Sequence, residues 1–302
     1  MLDRVRNLSC ACLYAALLVC LAAGVPAFAA APDAEVEGLQ LPVWLVRGVK
    51  REPLALGTEL RSGDRIESGA GARVLLRLAD GSTVKLGENA RFTLDALAHQ
   101  RQGNGVLTAA VGILQGAFRF TTTALYNFRG ARDVQVRFPT VTVGIRGTDL
   151  WGKSTDTRDI VALIEGKVTL TRAGEAPIQM DQARTVYQAP RNGPALPIEP
   201  ITAEQLGLFA AETEITPGQG ALGKGGRWRL YAARASSQSE ALAVYERVRE
   251  AGFPATIDPV LVAGKTVYRV RIGGLLSESD GTVVAVKLKA ELGLADVSVS
   301  LN

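Results

Sequence analysis

Alternation of apolar and polar residues dominates positions 43–186 of this 302-residue chain. Short runs such as VLLRLADGSTVKL place a hydrophobic side chain at nearly every second position, and glycines separate one run from the next. Successive side chains of a β-strand point to opposite faces, so the pattern predicts strands that bury one face. Within that run Asp80-Gly81 is a strong hairpin signal, because a two-residue hairpin loop needs positive φ at both positions. The region is therefore predicted to be all β.

The stretch FPTVTVGIRGTDLWG, residues 138–152, has two possible interpretations. It could be a ligand-binding loop, or a strand whose backbone requires the glycines. Its alternating apolar residues, which predict a core strand, are Val141, Val143 and Ile145. Gly144 and Gly147 are expected to permit a bulge or a close backbone approach, and Arg146 and Asp149 to pair and hold the bend. A polar ligand site at Arg146 and Asp149 is the alternative, although strand glycines more often mark bends than ligands.

The first 29 residues have the arrangement of an export signal. Two arginines precede an apolar run that ends at Ala29 in a small-x-small cleavage pattern. The run is short for a membrane span and is interrupted by Gly24 and Pro26. Residues 1–29 are therefore predicted to be a cleaved signal peptide, with an uncleaved membrane anchor as the alternative. No later apolar run reaches membrane-spanning length.

Cysteine and histidine usage narrows the possible chemistry. All three cysteines lie in the signal segment, so the mature chain has no disulfide, thiolate nucleophile or cysteine-based zinc site. His99 is then the only strong nitrogen ligand, and it lies in a polar run typical of a loop. No metal site and no cofactor are expected. The net charge of +4 falls to +3 without residues 1–29, which does not suggest nucleic acid or another extended polyanion as a partner.

Residues 188–226 differ in composition from the chain on either side. Prolines occur at positions 190, 194, 197, 200 and 217, and glycines cluster from position 218 to position 226. Chain this rich in proline and glycine resists core packing and acts as a spacer. The segment is therefore predicted to be a linker, with one short helix within residues 202–214.

From residue 227 onward strands and helices alternate in the order β-α-β-β-α-β. Ser237 is expected to cap the first helix with Glu240 closing a capping box, and Gly252 and Gly293 to end the two helices. This order places both helices on one face of a four-stranded antiparallel sheet. The predicted fold class is thus an all-β domain at residues 43–187 followed by an α+β domain at residues 227–302.

The period of two also predicts which side chains of the last domain lie on the sheet face away from the helices. That face is expected to carry, exposed to solvent, Arg229, Tyr231, Arg269, Arg271 and Ser298. The same period turns Ala232 toward the helices and Ala233 outward. Guanidinium groups can grip carboxylates, an aromatic ring can meet sugar rings, and hydroxyls can bind other oxygens. The alternative is that the arginines only keep the outer face of a sheet soluble.

The segments RWRLYAARASSQSEALAVYERVREAGFPA and GKTVYRVRIGGLLS, with their spacing, resemble the SPOR domain over the last 76 residues. The resemblance implies binding to peptidoglycan glycan strands that have lost their stem peptides, and enrichment at the division septum. Such strands expose lactyl carboxylates, which the predicted arginines suit. The chain departs from the family at Tyr231, where glutamine is common, and at Ala233-Arg234-Ala235, where a Gly-Ser-Phe run is common.

Three further segments, LGTELRSGDRIESGAGARVLLRLADGSTVKLGENARFTL, FPTVTVGIRGTDL and IEGKVTL, resemble the FecR domain across roughly residues 43–186. The resemblance implies a periplasmic β-rich module, known in regulators that relay iron-siderophore status to a sigma factor. Those regulators carry a cytoplasmic segment before a retained membrane helix. Only about twelve residues precede the apolar run here, so sigma-factor contact is not expected.

Motifs for catalysis are missing from the sequence. It contains no G-x-S-x-G elbow and no phosphate-binding G-x-x-x-x-G-K-[ST] loop. A glycan hydrolase needs a pair of carboxylates, and the candidates are Asp64, Glu67, Asp80 and Glu88. Glu67 and Asp80 lie in turn contexts, where acids usually cap or solvate.

The sequence therefore predicts a non-enzymatic periplasmic protein that binds denuded peptidoglycan glycan strands through its C-terminal domain. The FecR-like domain would serve as a scaffold or as a module that binds an envelope protein, in cell division or wall remodelling. The alternative is an envelope sensor or regulator that acts through the FecR-like domain.

Overall fold

The computed structural model describes residues 34–100, 106–122 and 131–302 of the chain. The predicted signal peptide lies outside these residues. The part that is described is rich in β-strands and contains three helices, in agreement with the predicted strand-rich character. None of these helices is long and apolar enough to cross a membrane.

Strands account for the described chain up to residue 190. They are β1 (Ala34–Gln40), β2 (Val43–Arg47), β3 (Lys50–Pro53), β4 (Arg65–Ser68), β5 (Arg73–Leu78), β6 (Thr83–Leu86), β7 (Arg91–Gln100), β8 (Val106–Thr121), β9 (Ala131–Arg137), β10 (Thr142–Ser154), β11 (Arg158–Thr171), β12 (Ile178–Met180) and β13 (Thr185–Pro190).

Helices enter only after this region. The remaining elements are β14 (Glu199–Pro200), α1 (Ala203–Thr213), β15 (Ala221–Gly223), β16 (Trp228–Ala235), α2 (Gln238–Glu250), β17 (Thr256–Val262), β18 (Lys265–Leu275), α3 (Glu278–Leu292) and β19 (Ser298–Leu301).

The N-terminal region, residues 34–190, is built from antiparallel hairpins that follow one another along the chain. Strand β10 lies at its centre and pairs with β8, β9 and β11, while β8 and β9 run parallel. Strand β5 shows why the sequence folds this way, because its residues 74, 76 and 78 are buried and those between them are not. Burial of one face of each strand supplies the hydrophobic stabilisation of this region.

The hairpin predicted at Asp80-Gly81 joins β5 to β6, but its loop is longer than expected. The Leu78 amide donates to the Ser82 carbonyl at 2.8 Å, which leaves three residues in the loop. Gly81 alone of these has positive φ, at 82°, while the Asp80 carboxylate accepts hydrogen bonds from Ser82. A three-residue loop needs one left-handed residue rather than two, so the glycine suffices.

The glycines of the 138–152 stretch do form the predicted bulge. Ile145 lies opposite Val168 and Thr148 lies opposite Gly166, so two residues of β10 face one residue of β11. Gly147, inside the bulge, has φ of 82°. A Cβ on Gly166 would lie 2.6 Å from the Gly147 carbonyl oxygen, so the close approach of the two strands requires glycine there.

Residues 188–226, expected to resist packing, are structured and packed. Helix α1 begins at a capping box in which Thr202 and Gln205 bond to each other's backbone amides. Its Phe209 ring stacks on Trp151 of β10 with centroids 4.1 Å apart. Strand β15 pairs with β1. The composition argument failed because a few apolar side chains decide packing, and Ile201 joins the same buried cluster as Trp151.

The C-terminal region, residues 228–301, contains strands β17, β18, β16 and β19, each antiparallel to its neighbour in this order. Ser237 caps α2 by accepting from the Glu240 amide, and Gly293 ends α3 with φ of 65°. The buried side chains contributed by the helices and the two central strands include Ala241, Val248, Val284, Leu288, Leu230, Val270 and Ile272.

The two regions belong to one compact unit, residues 32–302, and are joined by specific contacts. The Trp44 indole donates to the Glu250 carbonyl at 3.0 Å, and Lys287 Nζ donates to the Leu41 carbonyl at 2.8 Å. The buried Asp280 carboxylate of α3 accepts from three backbone amides between residues 218 and 221. The chain that leads into β15 is thereby fixed to the C-terminal region.

Candidate functional site

The C-terminal sheet carries the five predicted glycan-binding residues on adjacent strands. Arg271 of β18, Tyr231 of β16 and Ser298 of β19 lie directly opposite one another. Arg229 lies opposite Ser300. Neighbouring strands are about 4.8 Å apart, so the row from Arg271 to Ser298 spans roughly 10 Å.

Strand β16 contains a bulge at Ala232 that the sequence did not reveal. After the bulge Ala233 lies opposite Val270, whose side chain is buried, and Arg234 lies opposite Arg269. The prediction that Ala233 faces outward is therefore wrong, because one extra residue reverses the alternation of the strand. Arg234 takes that place, and it is a member of the arginine face that sequence reasoning missed. We use "arginine face" for Arg229, Tyr231, Arg234, Arg269, Arg271, Ser298 and Asp258.

Tyr231 is buried rather than exposed as predicted, with 7% of its surface accessible. The guanidinium carbons of Arg234 and Arg269 lie 5.1 and 5.2 Å from the centre of its ring. A cation over an aromatic ring is attracted by about 0.5–1 kcal/mol at exposed sites. The ring thus supports two arginines from below, and their planar groups cover it.

Asp258 of β17 brings a carboxylate to the arginine face. Its Oδ2 accepts a hydrogen bond from Arg269 Nη2 at 2.9 Å. The same oxygen lies 3.4 Å from Arg271 Nε, but without the alignment of a hydrogen bond. The alternation of β17 places Thr256 and Asp258 on the same face of the strand. The register with β18, which sets them opposite Arg271 and Arg269, is visible only in the structure. Four arginines and one aspartate leave the face positively charged.

Three buried polar atoms of the arginine face have no hydrogen-bond partner within the described residues. They are Nε of Arg269, Nε of Arg271 and Oγ of Ser298. A buried polar group without a partner costs about 1–3 kcal/mol. Two charged donors on β18 and a hydroxyl on β19, with β16 between them, can bind the carboxylate and hydroxyl oxygens of a ligand that crosses the strands.

The polar site predicted in the N-terminal region is arranged differently. Asp149 accepts from Arg119 Nε at 2.9 Å and from Arg119 Nη2 at 2.7 Å, in a two-pronged ion pair. Arg119 also lies 3.4 Å from Glu214, beyond the end of α1. The side chain of Arg146, the predicted partner, lies outside the described residues. The hydrogen bonds that Arg119 donates to Asp149 raise the pKa of Arg119, so the guanidinium group stays charged.

Asp64, weighed above as a hydrolase acid, is a buried structural anchor. Arg47 donates to both of its oxygens at 2.7 Å, and the Arg61 amide donates at 2.8 Å. Burial pushes the pKa of Asp64 upward, but the hydrogen bonds and charge of Arg47 outweigh it and hold the pKa below its usual range.

The other acids considered for hydrolysis are also held by neighbours. Glu67 accepts from Arg51, Asp80 from Ser82, and Glu88 from the Gly71 amide. Each bond stabilises a turn or a strand pair. No group of three or more metal-ligating side chains occurs in the part of the chain that the structure describes, and the His99 side chain lies outside it.

Comparison with protein families identifies both regions. The FecR protein family matches residues 64–169, and the SPOR domain family matches residues 224–299. The chain carries a FecR domain followed by a C-terminal SPOR domain. The arginine face lies entirely within the SPOR match, whereas Arg119 and Asp149 lie within the FecR match. Strands β1 and β2 precede the FecR match but pair with it, through β5 and β4 respectively.

Solved structures resemble the chain only distantly. Two crystal structures, each described as a "putative anti-sigma factor" from Parabacteroides distasonis ATCC 8503, share 16% and 17% sequence identity with it. Both cover 76% of this chain, and the alignments span 92% and 91% of theirs, with a TM-score of 0.38. No curated protein matches the chain.

Proposed function

We propose that the protein binds denuded glycan strands of peptidoglycan through the arginine face of its SPOR domain, without catalysing a reaction. SPOR domains bind peptidoglycan, and neither SPOR nor FecR domains are catalytic. The observation that carries the proposal is the set of buried, unpartnered atoms on Arg269, Arg271 and Ser298. A ligand with carboxylates and hydroxyls would satisfy them.

The proposed surface follows from the topology of the SPOR domain. Helices α2 and α3 bury Val248, Val284 and Leu288, and the central strands bury Val270 and Ile272. We infer that both helices cover one face of the sheet and leave the arginine face for the ligand.

The proposed domain limits are 43–187 for the FecR domain and 227–302 for the SPOR domain, with residues 188–226 between them. A signal peptide at 1–29 is proposed to direct the protein to the periplasm.

We infer different tasks for the residues of the arginine face. Lactyl carboxylates of a stripped glycan strand would meet the guanidinium groups of Arg269 and Arg271, which form two-pronged bonds with carboxylates. Ser298 and Arg229 would bind hydroxyls at the other end of the row. Tyr231 would not stack on a sugar, because arginines cover its ring. It would hold Arg234 and Arg269 in place.

Sedimentation with purified sacculi tests this proposal. The full chain should pellet with amidase-treated sacculi, and the double variant Arg269→Ala/Arg271→Ala should bind at least tenfold more weakly, since each lost hydrogen bond to a charged group costs about 1.5–3 kcal/mol. Arg91→Ala removes an exposed arginine from β7 and serves as the matched control. Equal retention of the double variant and the control would refute the proposal.

A regulatory role in the envelope is the second candidate function. Its support is the attachment of the N-terminal region to the C-terminal region through the β1–β15 ladder, which flanks the two domains, and through the contacts of Trp44 and Lys287. An envelope protein bound by the FecR domain would then be held at sites of stripped glycan, such as a division septum. A fluorescent fusion should form a septal band in dividing cells, and the double variant should lose it. A band that persists in the double variant would assign localisation to the FecR domain instead.

A further inference from the structure

The FecR domain contains a cleft of about 810 Å³ that the proposed glycan face does not use. Strands β9 to β12 form it, and the polar side chains that line it are Asp133, Gln135, Thr142, Lys167, Thr169, Thr171 and Gln179. Ligand sites for small molecules commonly have volumes of about 300–1,000 Å³. The cleft is therefore large enough for an oligosaccharide of a few residues.

Gly144 at the floor of this cleft has no structural reason to be glycine. It is not among the residues with positive φ, and an added Cβ would come no closer than 3.9 Å to another atom, in Thr169. Gly147 differs because its φ is 82°, and Gly152 differs because a Cβ there would lie 2.6 Å from the Phe118 ring. Glycine is disfavoured inside strands, and it often marks a place where a ligand approaches the backbone.

The polar side chains around Gly144 form a row across four strands. Gln135 and Thr169 lie opposite Gly144 on either side, and Gln179 lies opposite Thr169. At about 4.8 Å between strands the row is roughly 14 Å long. Gln179 already donates to the Thr169 hydroxyl at 3.1 Å, which orients both groups. The row presents amide and hydroxyl groups, which donate and accept, on both sides of an open floor.

The chemistry of the cleft selects among ligands. Its apolar members, Ile145 and Val168, are buried in the core, so no apolar centre of the kind found in protein interfaces is offered. Strands β10 and β11 are paired on both sides, so the floor cannot accept an added strand. Among the described lining residues one lysine and one aspartate balance each other, which does not suit a phosphate. We propose that the cleft binds a neutral oligosaccharide through its hydroxyl and acylamino groups.

This site is separate from the proposed SPOR function, because it lies on the other domain and recognises uncharged sugar. Calorimetric titration of the full chain with the tetrasaccharides of N-acetylglucosamine and of β-linked glucose tests it. We expect saturable binding of at least one of them. Gly144→Ala should weaken it several-fold and Gly144→Val more than tenfold, because the added methyl groups occupy the floor.

Controls separate loss of binding from loss of fold. Gly144→Ala should leave Tm unchanged or raised, since the position has room and ordinary backbone angles. Gly207→Ala, in an exposed helix position with equal room, should bind as the unaltered chain does. Gln135→Ala replaces an exposed side chain, so it should weaken binding without unfolding.

Three results would overturn the proposal. The first is the absence of binding of either tetrasaccharide by the unaltered chain. The second is binding by Gly144→Val and by Gln135→Ala that is as strong as binding by the unaltered chain. The third is binding that is lost in Arg269→Ala/Arg271→Ala but kept in Gly144→Val, which would place the sugar on the SPOR domain and support the glycan proposal alone.

Discussion

Arginine and aspartate meet in both domains, but with opposite results. In the FecR domain Asp64 and Asp149 each receive two hydrogen bonds from one arginine, so the pairs satisfy each other. On the arginine face of the SPOR domain Arg269 and Arg271 share Asp258, and their Nε atoms have no hydrogen-bond partner within the described residues. Residue type alone therefore does not distinguish a structural ion pair from a binding group. The hydrogen bonds that remain unformed make that distinction.

Removal of the Asp64 carboxylate should produce the largest effect. Asp64→Ala removes the carboxylate that accepts from Arg47 and from the Arg61 amide, and should reduce the free energy of unfolding by about 2–3 kcal/mol, because hydrogen bonds to a charged group contribute about 1.5–3 kcal/mol. Denaturant unfolding of the purified chain measures this. Glu67→Ala removes a more exposed partner of Arg51 and should cost about 0–1 kcal/mol. Similar losses in the two variants would show that the Asp64 pair is not a special anchor.

Acidic pH should weaken the ion pair between Asp64 and Arg47. Because the folded-state pKa of Asp64 is lowered, its contribution to stability is complete above the unfolded-state value of about 3.9 and disappears as the pH falls through the folded-state pKa. Thermal unfolding from pH 6 down to pH 2 should show this loss in the unaltered chain. The loss should be smaller in Asp64→Asn, which has no carboxyl to protonate at this site. Parallel pH curves for the two proteins would contradict the assignment.

Tyr231 tests whether the aromatic ring supports the arginines. Tyr231→Ala should weaken retention on amidase-treated sacculi about tenfold, because two cation–π contacts of about 0.5–1 kcal/mol each are lost. Tyr231→Phe keeps the ring and should bind as the unaltered chain does. If the phenylalanine variant loses as much binding as the alanine variant, the tyrosine hydroxyl contacts the glycan and the supporting role is wrong.

Asp258 should give the smallest effect and the opposite sign. Asp258→Asn removes the carboxylate that competes for Arg269, so retention on stripped glycan should increase about two- to threefold, equal to roughly 0.5 kcal/mol. The free energy of unfolding should fall by less than about 1 kcal/mol, as for other partly exposed pairs. A decrease in retention would mean that Asp258 orients Arg269 for the ligand rather than competing with it.

The sequence revealed strands well where their alternation was unbroken. Val74, Leu76 and Leu78 are buried as their spacing predicts, and Val270 and Ile272 of β18 are buried beside half-buried arginines. It failed at Ala232, because a bulge adds one residue without altering the composition of the strand.

Contacts between distant residues were beyond the sequence. The burial of Tyr231 depends on where Arg269, thirty-eight positions later, places its side chain. Asp149 accepts hydrogen bonds from Arg119, thirty positions earlier, which no local pattern indicated. The high proline content led to the prediction that residues 188–226 resist packing. Phe209 nevertheless packs on Trp151, because this contact does not depend on the prolines in the surrounding turns.

The short strand β15 gives the molecule a mechanical property. It shares three residue pairs with β1 of the FecR region, and its Leu222 pairs with Leu275 of the SPOR domain. A force applied to a glycan strand bound by the SPOR domain would therefore be transmitted to the FecR sheet through backbone hydrogen bonds. No flexible linker would have to extend first. If the protein were bound to a cell wall that grows or is cut, tension in the glycan would reach the FecR sheet as soon as it arises.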